Sequence, residues 1–60
     1  MHTIIEKTLR NGYTIKLYQK VAAYYVTVYN PDGKAIDGRD TWYYDMALNN
    51  LTIMENKYSK

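Results

Sequence analysis

The sequence predicts an α+β fold: a four-stranded antiparallel meander with one C-terminal helix packed on one face, in the order ββββα. Three observations predict it. Two turn signals, Asn11-Gly12 and Asn30-Pro31-Asp32-Gly33, separate stretches that alternate apolar and polar residues. The run from Tyr24 to Tyr29 is wholly aromatic or β-branched, the residue types that suit a half-buried pleated surface. Beyond Gly38-Arg39 the apolar spacing changes from strand-like to helical.

Strand one is read from His2 to about Leu9. A two-residue Asn11-Gly12 loop would set Glu6 against Leu17 and place charges beside core side chains. Moving Arg10 into the loop pairs Leu9 with Tyr13, Lys7 with Ile15 and Ile5 with Leu17. That register groups the apolar residues, so it is preferred. Lys7 is its one inward charge, a device that discourages pairing at a sheet edge. Strand two covers 13–20, with Tyr13, Ile15 and Leu17 inward and Lys16, Tyr18 and Lys20 outward. The turn that follows lacks Gly, Pro, Asn and Asp. A loop at Val21-Ala22 pairs Leu17 with Val26; one at Lys20-Val21 pairs Leu17 with Tyr24. Strand three covers 23–30, and Pro31 to Gly33 form a three-residue loop that sets Tyr29 against Ala35 and Val28 against Ile36. Strand four is expected to be short, 34–37, broken by Gly38-Arg39. Asp40 or Thr41 then caps a helix over 41–57.

On a wheel of about 100° per residue, Tyr43, Tyr44, Ala47, Leu51, Met54 and Tyr58 form the sheet-facing side of that helix. Ile5, Leu9, Tyr13, Ile15, Leu17, Tyr24, Val26, Val28 and Ile36 are the expected core opposite it. Trp42, Met46 and Ile53 form a second apolar stripe, with Asn50 and Lys57 on a boundary. One sheet face does not need both stripes.

Sixty residues make a single domain over 1–60, too short to bury a large core. Cysteine is absent, so there is no disulfide or thiolate metal site. The core must rest on the aromatic area of eight Tyr and one Trp, or be completed by a second subunit or a partner. The net charge of +2 does not by itself imply nucleic-acid binding. It is unevenly spread: residues 1–20 carry +3 and residues 21–60 carry −1. No signal peptide or long apolar run is read, so the expected location is the cytosol of a bacterial host.

The outward sheet face sets Tyr18, Tyr25 and Tyr29 beside Lys16, Lys20 and Arg10. Strand propensity accounts for any one of these tyrosines, but three on adjacent strands point to a binding face. Trp42, Met46 and Ile53 suit an anchor row, and their uses divide between local packing, a partner and a homodimer seam. Catalytic chemistry finds no constellation. Ser59 and His2 are terminal, and Asp37, Asp40 and Asp45 lack calcium-loop spacing. The expectation is a protein that is not an enzyme and uses no metal, cofactor or membrane.

The strand Tyr13-Thr14-Ile15-Lys16-Leu17, the Asp32-Gly33-Lys34 turn and the tyrosine- and amide-rich helix together resemble small accessory proteins of phages and mobile elements. Anti-CRISPR inhibitors of Cas9 belong to that class. The resemblance implies a cofactor-free inhibitor that binds a host defence protein and sterically blocks its nucleic-acid site or its motion. A slight excess of positive charge argues against DNA mimicry. Gly33-Lys34 within the sheet is also similar to the arm-type DNA-binding domain of tyrosine integrases. That resemblance implies that Lys16, Lys20, Tyr25 and Thr27 face duplex DNA, with Arg10 and Lys34 on phosphates. The first reading is preferred, with partner contacts through Tyr18, Tyr25, Tyr29, Lys16, Lys20, Trp42, Met46 and Ile53.

Overall fold

The computed structural model describes residues 2–59. Strands β1 (His2–Thr8), β2 (Thr14–Lys20), β3 (Ala23–Tyr29) and β4 (Ala35–Thr41) precede helix α1 (Tyr44–Tyr58). The sheet is an antiparallel meander in the order β1-β2-β3-β4, with the helix on one face.

Both three-residue loops form where the turn chemistry puts them. Gly12 N–H donates to Leu9 O at 3.0 Å and Gly33 N–H to Asn30 O at 2.8 Å. Each glycine takes positive φ, +91° and +85°, the conformation a side chain would resist. Asn30 Oδ1 also accepts from the backbone N–H groups of Asp32 and Lys34, which holds the loop from inside. The resulting registers set Lys7 against Ile15, Ile5 against Leu17, and Leu17 against Val26. Of the two loops considered after β2, the one at Val21-Ala22 forms.

Val21 has φ +59° and is 94% exposed. A β-branched residue gains nothing there to offset left-handed backbone, which costs about 1–2 kcal/mol. We expect Val21→Gly to raise the melting temperature by a few degrees, the larger freedom of glycine in the unfolded chain taking back part of the gain. An unchanged or lowered thermal midpoint by circular dichroism would refute the strain.

Strand β4 corrects the expected layout. It does not stop at Asp37 but runs through Gly38-Arg39 to Thr41, because β3 offers a full-length partner: Thr27 pairs with Gly38, Val26 with Arg39 and Tyr24 with Thr41. The ladder outweighs the cost of one glycine, which is about 0.5–1 kcal/mol in a strand. A register shift at the start of β4 absorbs one residue, so Val28 faces Asp37 rather than Ile36. Ile36 is therefore 42% exposed and outside the core.

The helix accordingly starts at Tyr44, not Thr41. Its N-cap is Tyr43, which makes no side-chain capping bond; Asp40 and Thr41 are still in the strand. Thr41 Oγ1 accepts instead from the Tyr43 N–H in the connection, at 3.3 Å. Trp42 lies in that connection, so the stripe drawn through Trp42, Met46 and Ile53 is not one helical row. Tyr43, assigned to the sheet-facing side, is 67% exposed. Asn50, assigned to a boundary, is buried.

The core is Ile15, Leu17, Val26 and Val28 from the central strands against Ala47, Leu51 and Met54, flanked by Ile4, Ile5, Leu9, Tyr13, Tyr24 and Tyr58. Two ion pairs fix how the helix sits on it. Lys7 Nζ lies 3.1 Å from Glu55 Oε1 on the β1 side, and Lys57 Nζ lies 3.0 Å from Asp37 Oδ2 on the β4 side. The inward lysine of β1 thus meets a carboxylate.

Candidate protein-docking site

The helix covers one face of the sheet, and the other is open. Alternation along the strands assigns Thr14, Lys16, Tyr18 and Lys20 of β2, with Tyr25, Thr27 and Tyr29 of β3, to the open face. The registers then set them in rows. Tyr18 and Tyr25 are directly opposite, and their rings stack with centroids 5.4 Å apart and planes 16° from parallel. The Tyr18 hydroxyl is 3.2 Å from Thr27 Oγ1, within hydrogen-bond reach. Lys16 Nζ lies 5.2 Å from the centre of the Tyr29 ring, a cation–π contact. These contacts hold the rings in place, so little rotamer freedom remains to be lost on binding.

On β4 this face carries Ala35, Gly38 and Asp40 opposite Tyr29, Thr27 and Tyr25. The side chains there are small or short, which leaves the tyrosines standing along the middle of the sheet. Glu6 faces Lys16 across β1 and β2, and Asp40 faces Tyr25. Lys16 and Lys20 are thus matched by Glu6 and Asp40, so the strand residues of the face are close to neutral. Arg10, expected beside them, lies in the loop between β1 and β2. Beside it, Glu6, Thr14, Lys16, Tyr29 and Gly33 line an open concavity of about 250 Å³. That is smaller than the range of roughly 300–1,000 Å³ usual for small-molecule pockets.

The second apolar surface lies at and around the helix. Trp42 is 70% exposed, Met46 49% and Ile53 38%. Met46 and Ile53 share one flank of α1, with Trp42 and Tyr43 exposed at its entrance. The sequence placed these residues at the surface but misjudged how they are grouped.

Sequence reasoning missed a further cluster. Asp37, read as the end of a strand, faces the helix because Ile36 takes the bulge. Its Oδ2 accepts from the Tyr58 hydroxyl at 2.7 Å and from Lys57 Nζ at 3.0 Å, and its Oδ1 accepts from the Gly38 N–H at 2.8 Å. The Tyr58 ring stacks on Tyr13, and Asn11 Nδ2 donates to Tyr58 O. Together these contacts latch the end of the helix to both hairpins. No periodicity announces the latch, since it depends on a bulge; the inward pairing of Asp37 would have been the only signal.

The Tyr58 hydroxyl first, then Lys57 and the Gly38 N–H, hold the Asp37 carboxyl at a pKa of about 2, below its ordinary 3.8. The same contacts raise Lys57 and Tyr58 above their ordinary values. A carboxylate with a depressed folded pKa contributes stability that is complete above the unfolded value and lost as pH falls through about 2. Asp37→Asn should therefore be less stable than the parent at pH 6, with the gap closing between about pH 4 and pH 2. Urea melts across that range check it. A gap independent of pH would mean that the carboxylate charge contributes nothing.

Ser59 Oγ bonds to the backbone oxygen of Asn56, and His2 is exposed on edge strand β1. Among the described residues no group of three or more His, Asp or Glu side chains is placed to hold a metal ion. None of the described helices is long and apolar enough to cross a membrane.

The fold and this face define a small α+β domain whose sheet presents an ordered aromatic surface. Comparison of the chain with protein-family models, curated proteins and solved structures finds no match.

Proposed function

We propose that this protein is a small inhibitor that docks on another protein through its open tyrosine face. By the resemblance of its strand and turn, the target is a host defence effector of the Cas9 type. It acts as a steric block, without chemistry of its own. The stacked Tyr18/Tyr25 pair carries the reading: two large rings already ordered on an uncovered sheet, beside Tyr29 and Lys16. Tyrosine supplies contact area with few rotors to freeze, a property of protein-binding surfaces. Trp42 and Tyr43 are a separate exposed aromatic pair where β4 leads into the helix.

The near neutrality of the face favours a protein over duplex DNA. A phosphate-binding surface needs an excess of cations, whereas Glu6 and Asp40 stand among Lys16 and Lys20. Two measurements test the proposal. Added to a Cas9–guide complex, the purified chain should slow cleavage of a matched duplex in proportion to its concentration. Titrated against labelled duplex DNA at low and high salt, it should bind weakly at both. Tight binding to DNA that falls steeply with salt would replace this reading with the DNA-binding one.

A further inference from the structure

We infer that the free edge of β4 pairs with β4 of a second copy, forming an antiparallel two-fold dimer centred on Gly38. β4 is an edge strand, and its stretch from Asp37 to Thr41 is regular beyond the bulge at Ile36. A two-fold axis through the sheet keeps each side chain on its own face, so only residues of like parity can meet. Centring the axis on Gly38 sets Asp37 opposite Arg39 of the second copy, and Arg39 opposite its Asp37. Centring it on Asp37 or Arg39 would set like charges against each other, which is unfavourable.

Arg39 faces the helix side of the sheet, opposite Val26, and makes no ion pair among the described residues. Asp37 already accepts three hydrogen bonds, but a carboxylate has roughly four acceptor positions, so room for an arginine remains. Gly38 has no side chain of its own at the axis, but its edge N–H donates to Asp37 Oδ1 at 2.8 Å. Pairing must exchange that bond for one to Gly38 O of the second copy, which frees Oδ1 for the arginine. The other edge lacks this complementarity. In β1 the neighbouring charges Glu6 and Lys7 lie on opposite faces, so no symmetric register can bring them together.

The helix flank supports the same axis. Lys57 is tied to Asp37 of β4, so the flank carrying Met46, Ile53 and Lys57 is the one turned to the free edge. The helix packs above β2, β3 and β4. Across the axis, β3 and its counterpart would be three strand spacings apart, about 14 Å. Helices in direct contact lie roughly 8–10 Å apart. At that distance the helices do not pack closely, and only side chains as long as Met46 and Ile53, exposed beside the edge in each copy, reach towards each other across the axis. The dimer would join two tyrosine faces in one eight-stranded sheet. It does not depend on which target those faces bind.

Sedimentation equilibrium of the purified chain tests the inference. The average mass should climb from 7.1 kDa towards twice that value as the concentration rises to roughly millimolar, the range in which a small interface associates. Arg39→Asp and Met46→Lys should each weaken association at least tenfold, with circular dichroism confirming that both remain folded. Arg39→Lys should retain most of it. Thr3→Lys, on the other edge, should leave it unchanged. A parent chain that stays at 7.1 kDa throughout would overturn the inference. So would association that survives both folded variants or disappears with Thr3→Lys.

Discussion

Leu17→Ala will leave much of the chain unfolded at room temperature, and the circular dichroism of sheet and helix will disappear together. Leu17 has no solvent exposure and sits between Ile5 and Val26 in the sheet, beneath a helix whose buried side is Ala47, Leu51 and Met54. Truncating such a residue removes its transfer free energy and leaves a cavity, together costing about 2–5 kcal/mol. A domain this short rarely has more than about 3–5 kcal/mol in all. With no disulfide to hold the fold, one lost side chain consumes most of the margin. Ile36→Ala is the contrasting variant. Sequence pattern set Ile36 opposite Val28 in the core, but the bulge leaves it 42% exposed, so its truncation should cost no more than about 0.5 kcal/mol. Equal losses for the two variants in urea melts would mean that the register of β4 is wrong.

On the proposed docking through the open face, Tyr25→Ala will weaken target binding by about ten- to a hundredfold, the usual consequence of deleting an aromatic anchor near the centre of an interface. The melting temperature should change little. A cross-strand aromatic pair on an open face contributes about 0.2–1 kcal/mol to stability, far less than a core residue. Tyr25→Phe should bind nearly as well as the parent, because it keeps the ring that stacks on Tyr18. In the Cas9 cleavage titration, Tyr25→Ala should shift the inhibition curve to higher concentration while Tyr25→Phe overlays the parent. If Tyr25→Ala inhibits like the parent and Trp42→Asp does not, the docking surface lies at the entrance of the helix instead.

Residue order leaves the second hairpin between two registers, because no Gly, Pro, Asn or Asp marks its turn. The meander, both glycine loops, the first hairpin register and the central core were legible in it. Each of these depends on local turn chemistry or on alternation, and both are written along the chain. Lys7, the one inward charge that alternation demanded, meets its carboxylate at Glu55. The fourth strand was not legible, because Gly38 and Asp40 read locally as a break. Pairing with Tyr24 to Val28 overrode that local preference. Moving the end of β4 by four residues displaced the helix start, withdrew Trp42 from the helical wheel and released Tyr43 from the sheet.

The sequence by itself determined the architecture, the inner and outer faces of β2, β3 and β1 from Ile5 onward, and the tyrosines of the open surface. A register shift beside Ile4 sets both Ile4 and Ile5 against the core. Only the tertiary structure decided that Tyr18 and Tyr25 stack, that Asp37 latches the helix through Tyr58 and Lys57, and that Met46 and Ile53 lie beside an unpaired edge. Turns and alternating strands are specified by neighbours a few residues apart. A bulge and the contacts it redirects are set by the partner strand and helix, whose free energies no local pattern contains.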